Sequence, residues 1–233
     1  MARREATRLH RKIIPTIIGA GITEQWYFDH LRKLKGYRIK LRPRFFGSET
    51  ADGLMKRIKE VLEEDGIAIC VFDADVSTWN EAERKKLEGL RQRYKHNANV
   101  VLCDSMPAIE YWFLLHYKNT NRHFGTSKAV VEELKHYIPK YDKSAHFLSN
   151  EKWVAEMMSD GKDDAAKMRA KAMGTEGQSY SNVYKAFEKI ETETARKIFD
   201  FLSGATYALN GNVQKVANNI FIFAPESVDI AAS

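Results

Sequence analysis
Apolar residues recur along this chain with two different periods. Ile13 to Ile18 and Ile67 to Phe72 are short apolar runs rich in β-branched residues, each closed by glycine or acidic residues. Such runs predict buried strands of a parallel sheet. Trp26, Tyr27, Leu31 and Leu34 recur at helical spacing and predict a helix opening at Thr23-Glu24, with Thr23 as its cap. The tight turn Gly19-Ala20-Gly21 joins this helix to the first strand. Leu54, Ile58 and Val61 predict a second helix within residues 48–65, and Leu87, Leu90 and Tyr94 a strongly charged third within 80–95. Asn99 to Cys103 then reads as another short buried strand, with Asp104 at its end. Alternating strands and helices predict an α/β fold, a mostly parallel sheet flanked by helices.

From about residue 121 the pattern changes. Val130 to Tyr137, Trp153 to Met158 and Val183 to Phe201 each draw as amphipathic helices, broken by Pro139, Gly161, Gly174 and Gly177, with no convincing strand before Asn219 to Phe223. Beyond Gly204 the periodic signal is slight. The organisation predicted is a basic arm over 1–12, an α/β domain over 13–120 and a C-terminal helical annex over 121–233.

Composition narrows the function classes. With 233 residues and 44% hydrophobic content the chain can bury a core, and no apolar run reaches the roughly 20 residues needed to cross a bilayer. The N-terminus is basic but lacks the apolar stretch of a signal peptide, so a cytoplasmic protein is expected. Cys70 and Cys103 lie inside apolar runs and read as buried thiols, with no spacing that suggests zinc. The net charge of +6 suits a polyanionic partner such as DNA or RNA. No GxxxxGK[ST] loop or GxSxG elbow is present, which argues against ATP hydrolysis by this chain and against acyl transfer.

The chemistry-bearing residues are mostly acidic. Asp73 and Asp75, in Val71-Phe72-Asp73-Ala74-Asp75, leave the carboxyl end of a predicted strand, where open α/β sheets bind ligands. Two carboxylates one residue apart can converge on Mg²⁺ or Mn²⁺; equally, Asp73 can be a turn residue and Asp75 a helix cap. Glu110 lies in Ala108 to Tyr117, a run too apolar for a surface helix, so it must be paired, by a nearby Arg for instance, or face a metal or cleft. His116 in the same run reads as a satisfied core histidine. Over Tyr37 to Phe46, Arg38, Lys40, Arg42 and Arg44 alternate with apolar residues, which puts four cations on one strand face. That face is either a charged edge guarded against aggregation or a strip that contacts phosphates.

Three segments in order, Gly21-Ile22-Thr23-Glu24-Gln25-Trp26-Tyr27-Phe28, Phe72-Asp73-Ala74-Asp75 and Ser105 to His116, resemble the RloB family, a branch of the Toprim superfamily associated with bacterial defence. The similarity runs from about Ile13 to Ile190 and includes Tyr141-Asp142-Lys143, Arg169-Ala170-Lys171 and Asn182-Val183-Tyr184. It implies a Toprim-like sheet and a Mg²⁺- or Mn²⁺-dependent nuclease of antiphage defence. The metal would sit on Asp73 and Asp75, completed by Asp104 or Glu110, with Glu24, Glu110 and Lys143 at the catalytic centre. An ATPase partner also falls within what it implies; a homo-oligomer is left open. The family glutamate belongs immediately before the glycine of Gly-x-Thr-Glu, where this chain has Ala20. Alanine can neither ligate metal nor move a proton. The chain is then a natural inactive relative or carries an engineered replacement, and the intact surrounding motif favours the second. A noncatalytic nucleic-acid-binding module is the other function class.

Overall fold
A computed structural model describes residues 13–42, 50–75 and 80–228. The chain divides into two compact units, Met1–Phe187 and Glu188–Ser233. Residues 121–187 fall in the same compact unit as the sheet. The basic arm over residues 1–12 lies outside the described residues.

The first unit is built on a five-stranded sheet of order β2-β1-β3-β4-β5. Its strands are β1 (Thr16–Gly19), β2 (Lys40–Arg42), β3 (Ala68–Asp73), β4 (Val100–Met106) and β5 (Tyr180–Ser181). The first four pair in parallel and β5 joins β4 antiparallel. This is the mostly parallel α/β sheet that the strand-helix alternation predicts. The short β5 comes from the stretch read as purely helical; two residues between glycine-broken helices carry no period.

Helices cover both faces of the sheet. Side chains alternate along a strand, so Ile18, Cys70 and Phe72 share one face. There they form a core with Leu54, Ile58 and Val61 of α2 (Ala51–Glu63) and Leu87, Leu90 and Tyr94 of α3 (Glu81–Tyr94). Those six residues are the helical apolar positions of the sequence pattern. Ile17, Ile69 and Val71, also buried, point to the other face. α1 (Ile22–Leu34) and α4 (Glu110–Leu115) meet through Tyr27, whose ring lies 4.9 Å from that of Phe113 and whose hydroxyl accepts the Trp112 indole N–H at 2.7 Å. Every residue from Ala108 to His116 is buried, as the apolar run requires. His116 sits in that core with Nδ1 against the Trp112 carbonyl, and burial lowers its pKa to about 4, so it is neutral. Cys70 and Cys103 are buried free thiols. Short helices α5 (Ser127–Leu134), α6 (Ala145–Leu148), α7 (Lys152–Met157) and α8 (Lys162–Met173) complete the unit.

The second unit holds most of α9 (Tyr184–Ala208) and an antiparallel hairpin, β6 (Asn212–Ala217) and β7 (Ile220–Ala224). Phe199 of α9 packs on Phe221 at 4.5 Å and Phe223 at 5.9 Å between ring centroids. Gly211 admits no side chain, because a Cβ there would strike the Ala224 carbonyl. No helix among the described residues is long and apolar enough to cross a membrane.

Candidate functional site
The loops at the carboxyl ends of β1 and β3 frame a cleft of about 630 Å³. Its lining includes Ala20, Gly21, Glu24, Asp73, Asp75, Glu83, Glu110 and Lys143. Sequence reasoning singled out six of these eight, and the fold brings them together from four separate stretches of chain. The charge balance is lopsided: five carboxylates face one ammonium among the described lining residues.

Glu24 owes its position to where α1 begins. Gly21 is the N-cap and offers no side-chain cap, so Thr23 lies inside the first turn and does not cap the helix. Glu24 is then the third helical residue, from which a glutamate side chain folds back over the cap. A Cβ on Gly21 would lie 2.7 Å from Glu24 Oε2, so a side chain there would push the folded-back carboxylate aside. Burial pushes the Glu24 pKa up to about 7, opposed by the Glu24 and Gly21 backbone N–H groups and reinforced by the Glu110 charge.

Asp73 ends β3 and accepts the Ile109 N–H on Oδ1 at 2.8 Å. Burial first, then the Glu24 and Glu110 charges, hold its carboxyl well above the usual range. Glu110 is completely buried at the first position of α4. Its Oε1 accepts from both Tyr141 Oη and Lys143 Nζ, each at 2.9 Å. The partner of Glu110 is thus a lysine and a tyrosine, not an arginine. Its Oε2 is buried without a hydrogen-bond partner among the described residues. Burial alone would lower the Lys143 pKa, but the Glu110 carboxylate outweighs it and raises it.

Asp104 is placed elsewhere. β4 continues to Met106, and its register sets Asp104 beside Phe72 and Ser105 beside Asp73. Parity therefore turns the Asp104 side chain to the face opposite Asp73. There it accepts from Arg91 at 2.6 Å, Tyr180 at 2.8 Å and Asn182 at 2.7 Å, a saturated structural carboxylate. Of the predicted cationic strip, Arg38 and Lys40 are exposed, and Arg42 is held on both guanidinium nitrogens by Glu64 at 2.9 and 3.0 Å. Arg44 lies outside the described residues. β2 is an edge strand, as the guarded-edge reading requires. Lys40 and Arg42 also line a groove with Ile22, Trp26 and Arg32, and Ile22 lines the carboxylate cleft as well. Tyr141 carried no assigned role in the sequence; its one signal was its place two residues before Lys143.

Residues 16–190 match the family described as RloB-like protein. The chain belongs to the RloB family. Its RloB unit contains the whole cleft just described. A second match, over residues 178–230, is to cell division protein SepF. The chain is 61% identical over 46 residues to SepF of Alkaliphilus metalliredigens, covering 20% of this chain and 31% of that one. It is 47% identical over 62 residues to SepF of Heliobacterium modesticaldum, covering 27% and 38%, and 41% identical over 56 residues to SepF of Listeria monocytogenes, covering 24% and 37%. The chain thus spans about a third of the length of the curated relatives it matches. No solved structure matches it.

The donor chemistry of the cleft fits a hard divalent cation. Its anionic donors are carboxylate oxygens, Glu110 Oε2 is buried and unpaired, and the Glu24 charge bears on Asp73 with a repulsion that a cation would relieve. Among the described residues no group of three or more His, Cys, Asp or Glu is already gathered closely enough to hold a metal. Ala20 lines the cleft where the family resemblance implies a further carboxylate, and its methyl group supplies none.

Proposed function
We propose that the RloB unit is a Toprim-like, Mg²⁺- or Mn²⁺-dependent nuclease fold acting on nucleic-acid phosphodiesters in antiphage defence, and that Ala20 leaves this chain catalytically inert. The observation that carries this reading is the convergence of Glu24, Asp73, Asp75 and Glu110 in one cleft at the carboxyl edge of a parallel sheet. A phosphodiester is anionic, and a cleft with this surplus of carboxylates repels it unless a cation intervenes. Asp73 and Asp75 would hold that cation. When bound, it supplies charge neutralisation and a more acidic water.

The remaining residues have roles of their own. Tyr141 and Lys143 fix Glu110 through one oxygen and leave Oε2 as a free acceptor aligned by two donors. Glu24, near its midpoint at neutral pH, can hold or release a proton at its carboxylate. Lys143 presents a positive charge at the cleft, and the groove along Lys40 and Arg42 offers further cations to a polymer leaving it. Ala20 itself favours a second reading, in which the unit binds nucleic acid without cleaving it, in a defence complex with an ATPase partner. Mn²⁺ titration by calorimetry tests the site. Binding is expected to be weak in the parent, stronger in Ala20→Glu and lost in Asp73→Ala/Asp75→Ala; equal binding by all three proteins would remove the metal site.

A further inference from the structure
The spacing that predicts α1 counts Trp26 with Tyr27 and Leu31, but the helix does not bury them alike. Tyr27 and Leu31 are fully buried, whereas Trp26 is half-buried and lines a groove of about 1020 Å³ between α1 and β2. One face of its ring is taken: the His30 imidazole stacks on it at 5.5 Å between centroids, with the planes 23° apart. His30 is itself buried, with Nε2 2.8 Å from the Leu148 carbonyl and its ring at 88° to that of Trp153. The indole is therefore braced from behind as a flat platform, and a side chain already held in place loses little freedom when a partner settles on it.

Cationic and apolar residues share the rest of the lining. Ile39 and Leu41 line the groove with Trp26, and Arg32, Lys40 and Arg42 bring positive charge to it. Asp29, the acidic residue of the lining, already takes Arg32 at 2.5 Å and Lys33 at 2.8 Å. From Ile22 to Arg32 the helix rises about 15 Å, the length of about four nucleotides at roughly 3.4 Å each. Ile22, at one end of that stretch, also lines the carboxylate cleft.

We propose that this groove is a single-strand channel: an unpaired base stacks on Trp26, the flanking phosphates lie along Lys40 and Arg42, and the strand runs over Ile22 into the cleft. The proposal rests on the nucleic-acid reading of the RloB unit and narrows its substrate to single-stranded DNA or RNA. Stacking on a side chain needs a base with an open π face, which an unpaired strand has and the interior of a duplex lacks. A duplex would meet the same cations with its phosphates alone. Every base has such a face, so the groove selects strandedness and not sequence.

Fluorescence anisotropy with the full chain in Mg²⁺ tests this, using labelled DNA and RNA of about 12 nucleotides, within the site size of such grooves. Each is offered as a single strand and as a duplex, and the DNA also as a strand abasic throughout. Single strands are expected to bind more tightly than duplexes. The abasic strand should lose at least about 5-fold in affinity, the least that one stacked base is worth, with an unchanged salt slope because its phosphates remain. Trp26→Leu keeps an apolar side chain over His30 and should cost about 5- to 150-fold on intact single strands, again at constant slope. Should that variant fail to fold, the abasic strand tests the same contact in the parent. Duplexes bound as tightly as single strands, or an abasic strand bound like an intact one, would overturn the channel and leave the nucleic-acid reading standing. Binding of none of the probes at low salt would overturn that reading and the channel with it.

Discussion

Replacing Glu24 with glutamine should stabilise the protein at alkaline pH and not at acidic pH. In the folded chain burial raises the Glu24 pKa from 4.5 to about 7. A carboxyl with a raised folded pKa takes up a proton on folding, so its contribution to stability falls as pH climbs from the lower value through the upper one. A shift of that size, at about 1.4 kcal/mol per unit, makes the ionised Glu24 cost about 3 kcal/mol by pH 8. Glutamine carries no charge, and from the third helical position its side chain still reaches the cap backbone. In metal-free buffer with chelator, Glu24→Gln is therefore expected to exceed the parent by up to about 3 kcal/mol in urea unfolding at pH 8. At roughly 2–4 °C per kcal/mol for a chain of this size, its melting temperature should rise by several degrees. At pH 4, below both pKa values, the two proteins should be alike. A difference independent of pH, or a less stable variant at pH 8, would refute the reasoning.

Three further outcomes follow from the same geometry. Lys143→Met strips the countercharge from the wholly buried Glu110; because the Lys143 side chain is 47% exposed, the loss should be about 2 kcal/mol, below the range for a fully buried pair, and should largely vanish in a Glu110→Gln background, measured as a double-mutant cycle. Asp104→Ala leaves Arg91, Tyr180 and Asn182 without their acceptor and should cost about 3 kcal/mol in urea unfolding, while Mn²⁺ affinity stays at the parental value. If the groove along β2 carries nucleic acid, Lys40→Ala should lower the salt dependence of binding by about 0.7–0.9 in log–log slope, and Arg42→Ala by less, since Glu64 already holds that guanidinium.

Much of this architecture was legible because burial imposes periodicity. The core positions Leu54, Ile58, Val61, Leu87, Leu90 and Tyr94 are the residues whose spacing announces α2 and α3. Asp73 and Asp75 were legible because a β-branched run ends at them. Asp104 was misplaced because the apolar run stops at Cys103 while the strand continues to Met106, and one residue of parity turns a side chain to the other face. Glu24 reaches the cleft because the helix starts at Ile22, which makes it the third helical residue, with its side chain folded back over Gly21. The partners of Glu110 lie some thirty residues away in a loop with no period. Of the C-terminal hairpin only the second strand is legible, as Asn219 to Phe223; Asn212–Ala217 is polar-rich and carries no apolar run, and the Asn218-Asn219 pair, with Asn219 at φ 61°, marks the turn between them.

Cleavage by Ala20→Glu tests the central claim most directly. Labelled single-stranded and duplex DNA and RNA would be incubated with Mg²⁺ or Mn²⁺ and the parent, Ala20→Glu, or Ala20→Glu/Asp73→Ala. The account predicts cutting of at least one substrate by Ala20→Glu alone, abolished by chelator and by the added Asp73 substitution, with the parent inert. An Ala20→Glu protein that keeps the parental melting temperature and takes up Mn²⁺ yet cuts none of the four would contradict it, leaving a nucleic-acid-binding module in place of a silenced nuclease.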